Sequence, residues 1–251
     1  MKIEGITSIG LVRQNNQDRY ASLNHATLDL SACIVCDGVG GSKAGEVAAS
    51  LAVYNFIRRF SELELAESLS QLKQWLRETV IYINDRVYSL SQQQQVFQGM
   101  STTMVILICS PLGDFYVNIG DSRLYILDLN DQLIQLSSDD SVVNELMKQG
   151  TITKREAKTH PMRHAVTNAV GIYKEARMEI QDVTEPVQMY LLSSDGLHGY
   201  VAKSTIRRIL TDQSTTLRQK VIQLNHEAER LGGQDNITII LARKEENDDI
   251  K

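Results

Sequence analysis

Four apolar runs in this chain open or close on an aspartate, and each aspartate has a glycine within three positions. Ile34-Val-Cys-Asp37-Gly38 carries one run into Asp-Gly, and Leu191-Leu-Ser-Ser-Asp195-Gly196 does so again. Val117-Asn-Ile-Gly120-Asp121-Ser122 sets Asp121 at a turn between two runs, and Gly232-Gly-Gln-Asp235-Asn236 sets Asp235 just before the last one. Any one of these is ordinary turn chemistry, because Asp bonds nearby backbone and Gly accepts positive φ. Four together constrain the fold, since strands of one sandwich can bring their ends to a common edge. Carboxylates gathered there would repel by ~4 kcal/mol per pair at 4 Å, at an effective dielectric near 20. Hard cations would neutralise them, and an oxygen-only donor set points to Mg²⁺ or Mn²⁺ rather than zinc.

The remaining pattern supplies such strands. Strand-like runs fall at 3–11, 19–23 and 32–36, then at 102–109, 114–119, 123–128 and 133–136, and later at 178–183, 188–192 and 237–242. Short turns such as Pro111-Leu-Gly113 and Asn130-Asp131 join neighbours, which favours antiparallel meanders. Between them lie helical stripes at three- and four-residue spacing: Val47, Leu51, Tyr54 and Ile57; Leu65 through Leu90; and Leu217 through Leu231. Strands in meanders and long helices in pairs make the fold α+β: two packed antiparallel sheets flanked by helices, an α/β/β/α sandwich. No Pro- or Gly-rich linker divides the chain, so residues 1–245 are expected to form one domain. Residues 246–251 are expected to form a frayed tail.

At 42% hydrophobic and 23% charged, the 251 residues are those of a folded globular protein, not a disordered one. A net charge of −5 argues against a general nucleic-acid or anionic-membrane binder. Three cysteines cannot staple a chain of this length, and no run is long and apolar enough for a membrane span or a signal core. A cytoplasmic location is expected. Cys33 and Cys36 lie in a strand-like run, where residues three apart face opposite sides, so they are expected to be core residues rather than a zinc pair. Gly38-Val-Gly-Gly-Ser-Lys43 fails both phosphate-loop patterns. His160 and His164 are four apart, but Pro161 between them makes a surface or loop role the better expectation.

Taken in order, several segments carry a resemblance: Gly10-Leu-Val-Arg13-Gln-Asn-Asn-Gln-Asp18, Asp37-Gly-Val-Gly-Gly41, Gly99-Met-Ser-Thr-Thr103, Asn118-Ile-Gly-Asp121-Ser-Arg123, His160-Pro161 with Ala169-Val-Gly171, Ser194-Asp195-Gly196 and Gly233-Gln-Asp235-Asn236. The chain resembles the metal-dependent serine/threonine protein phosphatases of type 2C, in their compact bacterial form, over roughly residues 5–243. The resemblance implies hydrolysis of phosphoserine and phosphothreonine in proteins by a metal-activated bridging water, with signalling as the setting. It implies a binuclear Mn²⁺ or Mg²⁺ centre in which Asp37 bridges the ions, the Gly38 carbonyl serves the first, and Asp195 and Asp235 complete the second. Asp121, with Asp195, would hold a third ion. Asp18 would orient metal-bound water, and Arg13 would grip the phosphate. Phosphorylated proteins, a serine/threonine kinase to oppose and a monomeric state complete the expectation.

Two departures stand out. Val39 occupies the position where many members carry a His that can act as general acid. Asp139-Asp140-Ser141 stands where the family often has Asp-His-Ser, at the start of a polar flap spanning about 138–170. The rival readings are a regulatory pseudophosphatase of the same fold and a phosphatase for small phosphoesters.

Overall fold

Strands whose two faces are both apolar need cover on both sides, and that requirement organises this molecule. The computed structural model describes residues 1–39, 44–65 and 67–244; the expected frayed tail and Gly40 to Lys43 lie outside the described residues. The chain opens with strands β1 (Lys2–Ser8), β2 (Asp18–Asn24) and β3 (Ser31–Val39), followed by helices α1 (Ala44–Ser61) and α2 (Leu69–Gln93). A 3-10 turn leads to β4 (Ser101–Thr102), β5 (Met104–Cys109), β6 (Phe115–Ile119), β7 (Arg123–Asp128) and β8 (Leu133–Gln135). Short helices α3 (Val142–Lys148) and α4 (Lys154–Ala157) precede β9 (Ile180–Asp182) and β10 (Val187–Ser193). Helices α5 (Asp195–His198), α6 (Lys203–Thr211) and α7 (Leu217–Arg230) lead to the last strand, β11 (Ile237–Arg243).

Two antiparallel sheets result. One runs β1-β11-β10-β7-β8; the other runs β2-β3-β5-β6-β9, with β4 added against β3. Alternate residues of the central strands serve different layers. Cys33, Val35, Val105, Leu107 and Tyr116 of the second sheet meet Leu124, Ile126, Tyr190, Leu192 and Ile240 of the first in the layer between the sheets. Ile34, Cys36, Ile106 and Val117 face outward beneath α1 and α2, while Leu127, Leu191, Ile239 and Leu241 face α6 and α7 on the other side. Cys33 and Cys36 thus occupy separate layers, buried and free. Burial alone pushes the Cys33 thiol up to about 12.

The expected strands are present with adjusted ends. The first stops at Ser8, short of the expected Leu11, whose side chain is exposed. The second helix begins at Leu69, four residues later than its stripe suggests, with Ser68 accepting the Gln71 N–H as its cap; Leu65 lies outside the helix, exposed. Helix α6 has no counterpart in the sequence reading. Helix α1 is rotated from the expected face, so that Val47 and Leu51 are half-buried against the core. Tyr54 and Ile57 are exposed, and the buried side carries Ala48, Ala49, Ala52, Val53, Phe56 and Phe60. Small alanines let the helix lie close on β3, and Phe56 and Phe60 fill the space toward Trp75 of α2.

Phe56→Ala should therefore destabilise the fold by about 3–5 kcal/mol, whereas Tyr54→Ala should change stability by no more than about 0.5 kcal/mol. Urea unfolding of both variants checks this; equal losses would mean that the inward face of α1 is misassigned.

Candidate active site and metal centre

The register of the first two strands of the second sheet sets two carboxylates side by side. Asp18 pairs with Asp37 across β2 and β3, and directly opposed residues in an antiparallel pair project to the same face. Asp37 continues the alternation of Cys33 and Val35, so this face is the inter-sheet layer at its open edge. The backbone around Asp37 is fixed by the Ser101-Thr102-Thr103 segment. Asp37 N–H donates to Thr103 Oγ1 at 2.9 Å, Thr103 N–H donates to the Asp37 carbonyl at 2.8 Å, and the Thr102 hydroxyl donates to the same carbonyl at 2.9 Å. Next to it, Gly38 lies against Gly45 of α1. A Cβ on Gly38 would fall 2.3 Å from the Gly45 carbonyl oxygen, so only glycine lets helix and strand meet here.

Asp18 is fully buried; its Oδ2 accepts the Ser194 hydroxyl at 2.7 Å. Ser194 in turn is locked to the last strand: its N–H donates to the Thr238 carbonyl at 3.1 Å, and Thr238 N–H donates to its Oγ at 2.9 Å. Asp195 is the first residue of the short helix α5. Gly196 follows because a side chain there would collide with the Asn236 carbonyl, 1.9 Å from the Cβ position. Asn236 ties the loop carrying Arg13 to this junction, donating from Nδ2 to the Ile9 and Asn15 carbonyls, each at 3.0 Å, and accepting Gln17 N–H at 2.9 Å. Asp235 Oδ2 accepts Arg13 Nη2 at 2.7 Å. Asp121 follows Gly120 in the β6–β7 turn, where His198 bonds its backbone.

Asp37, Gly38, Asp121, Asp195, Asp235 and Arg13 all line one pocket of about 580 Å³, which Gln17, Val39, His164, Tyr200 and Asn236 also border. The sequence-predicted site residues thus come together, with Asp18 buried beside Asp37. Among the described residues no three His, Cys, Asp or Glu side chains are drawn tightly enough together to grip an ion as they stand. Two buried carboxylate oxygens, Asp18 Oδ1 and Asp195 Oδ1, have no hydrogen-bond partner. Orphaned oxygens among clustered carboxylates suit hard divalent cations, so the residues present fit such ions in donor type and charge.

The electrostatics agree. Burial pushes the Asp18 carboxyl up to about 7 against the pull of Ser194 and Thr238, and Asp195 and Asp235 add to the rise. Burial, then Asp18, Asp195, Asp121 and Asp235, holds Asp37 well above the ordinary carboxylate range. Burial and then Asp195 raise Asp121 to about 7. Among the described residues Arg13 is hydrogen-bonded to Asp235, which raises it further, and His164 is raised by its neighbour Asp195.

The chain and its fold have known relatives. The family model described as protein phosphatase 2C matches residues 12–231. The chain belongs to the protein phosphatase 2C family. This phosphatase is 32% identical to the protein phosphatase PhpP of Streptococcus pneumoniae, over 99% of each chain. Among solved structures it is similar to the serine/threonine phosphatase Stp1 of Staphylococcus aureus, with a TM-score of 0.89 and 34% identity, covering 98% of this chain and 95% of that one. It is also similar to the catalytic domain of the phosphatase PstP, solved in complex with 2 manganese ions, with a TM-score of 0.81 and 28% identity over 96% and 97% of the two chains. Family and fold bear out the expectation of a protein phosphatase built on two packed sheets. No helix among the described residues is long and apolar enough to cross a membrane.

Some residues of the site of this phosphatase had no assigned task in the sequence. Thr103, Ser194 and Asn236 stand in recognisable segments, but their bonds run between elements far apart in the chain. His164, expected to have a surface or loop role, is half-exposed in a loop, yet its Nδ1 lies 3.7 Å from Asp195 Oδ2. Val39 borders the pocket and has no proton to give.

The raised carboxyls imply a pH effect on the chelated protein. Folded Asp18 and Asp121 titrate near 7, whereas unfolded Asp titrates near 3.8. Their contribution is full below the unfolded value and is lost as pH rises through about 7. His198, held neutral by burial, has the opposite slope below its ordinary 6.5. Between about pH 6.5 and 8, the urea midpoint in chelator should fall, and divalent cation should restore it. A flat midpoint in chelator would contradict the clustering of charge.

Proposed function

We propose that this phosphatase hydrolyses phosphoserine and phosphothreonine in proteins with two divalent cations, Mn²⁺ or Mg²⁺. Asp37, the Gly38 carbonyl, Asp195 and Asp235 hold them, and Asp121 with Asp195 serves a third. The observation that supports this reading best is the convergence of Asp37, Asp121, Asp195 and Asp235 with Arg13 in one pocket, beside a buried Asp18. The two manganese ions of the related PstP support a binuclear centre. When bound, the cations acidify a water and offset the charge gathered on carboxylates and phosphate.

The chain's own residues do the rest. Arg13 is half exposed at the pocket, with a side-chain exposure of 51%, so its planar fork can pass from Asp235 to two oxygens of an incoming phosphate. Asp18 is held by the Ser194 hydroxyl, and its second oxygen is left to accept a hydrogen bond from an adjoining water and so orient it. Val39 leaves the leaving oxygen without a side-chain acid at that place. A serine/threonine kinase as the opposed activity, a monomeric state and a cytoplasmic setting belong to the same proposal, the last supported by buried, unpaired cysteines.

Turnover of a phosphothreonine peptide should vanish in chelator and return with Mn²⁺ or Mg²⁺; full activity in chelator sinks the proposal. Faster hydrolysis of a nucleotide than of the peptide would favour the small-phosphoester reading. Asp37→Asn should lower kcat/KM by at least about 100-fold. Arg13→Ala should chiefly raise KM, because a phosphate grip made in ground and transition states alike is lost from both. Unchanged kinetics in Arg13→Ala would remove that residue from the site.

A further inference from the structure

One carboxylate of the flap, that of Asp140, joins both of its ends to the β6–β7 turn. Asp140 N–H donates to the Gly120 carbonyl at 2.9 Å, and Gly120 N–H donates back to Asp140 Oδ2 at 3.1 Å. The same Oδ2 accepts Asn168 Nδ2 at 2.8 Å, and the Asp140 carbonyl accepts Thr167 N–H at 2.8 Å. The entry and exit of the flap therefore meet on the residue that brackets Gly120. Accepting two donors at one atom requires two lone pairs, which a carboxylate or amide oxygen has and an imidazole nitrogen lacks.

Gly120 needs this support. Its φ is +99°, and a Cβ there would lie 2.8 Å from Thr103, so no side chain can fix the turn. Its N–H is held by Asp140, and its carbonyl by Asp140 together with Asn118 Nδ2 at 3.1 Å. The next residue is Asp121, which lines the active-site pocket. Asp139, the neighbour of Asp140, is occupied elsewhere, gripping Arg123 at 2.6–2.8 Å through its two oxygens.

We propose that Asp140 is a positioning residue for Asp121: one carboxylate oxygen sets the Gly120 turn and couples it to the flap. Geometry rather than charge carries the effect. An Asn at 140 keeps an oxygen for both donors, whereas a Glu keeps the charge but moves the oxygens by one methylene.

The kinetic part rests on the phosphatase reading; the exchange part does not. Hydrogen exchange on the full chain in chelator should show Gly120 N–H exchanging about tenfold faster in Asp140→Glu and unchanged in Asp140→Asn. In a calorimetric Mn²⁺ titration, the weakest binding step should weaken about fivefold in Asp140→Glu, with the tighter steps unmoved and Asp140→Asn like the parent. On a phosphothreonine peptide, kcat should fall about fivefold in Asp140→Glu with KM unchanged, and should fall no further when Asp140→Glu is added to Asp121→Asn. Loss in Asp140→Asn equal to that in Asp140→Glu, parent-like exchange in Asp140→Glu, or additive losses with Asp121→Asn would each overturn the proposal. Cation-independent turnover of the parent would instead count against the phosphatase reading.

Discussion

Asp18 and Asp37 face each other across a strand pair at the edge of an apolar double layer, and the rest of the site depends on tolerating that opposition. Two carboxylates so placed are costly to ionise together, and burial makes the cost greater. Asp121, Asp195 and Asp235 add like charge to the same edge. A chain relying on its own interactions alone would be more stable with apolar residues at these places. Keeping them makes sense when something positively charged repays the cost, and among the described residues Arg13 on Asp235 and the half-exposed His164 near Asp195 offset only part of it.

Beyond the Ser194 hydroxyl on Asp18 and Arg13 on Asp235, the bonds described around the site hold backbone rather than charge. Thr102 and Thr103 fix Asp37 through its peptide groups, Ser194 and Thr238 lock the end of β10 to β11, and Asn236 fastens the N-terminal loop. Each connects segments distant in sequence, so the pocket is assembled by both sheets at once. Loosening the packing between the sheets would disperse the carboxylates even if every aspartate remained.

The strands and their terminal aspartates were legible because alternation and turn chemistry are local. The layered architecture followed from them. The inward face of α1 was only partly legible: Val47 and Leu51 pack half-buried against the core, but close approach to β3 selected Ala48, Ala49 and Ala52, and Tyr54 and Ile57 are left exposed. Helix α6 buries only Ile206, Ile209 and Leu210, too brief a stripe to stand out. The membership of the site could be inferred from ordered motifs. The partners of Ser194, Asn236 and Asp140 could not, since they depend on register between sheets and on the path of the flap.

The separation of Cys33 and Cys36 into different layers reaches beyond packing. Neither thiol is exposed, and burial disfavours the thiolate of both, as it does for Cys109. Peroxide attacks thiolates, and hydrolases that depend on one fall silent under oxidative stress. The chemistry proposed above, carried by carboxylates and a guanidinium, offers peroxide no such target, so the dephosphorylation arm of a signalling circuit built on it would keep running while thiol-dependent counterparts stop.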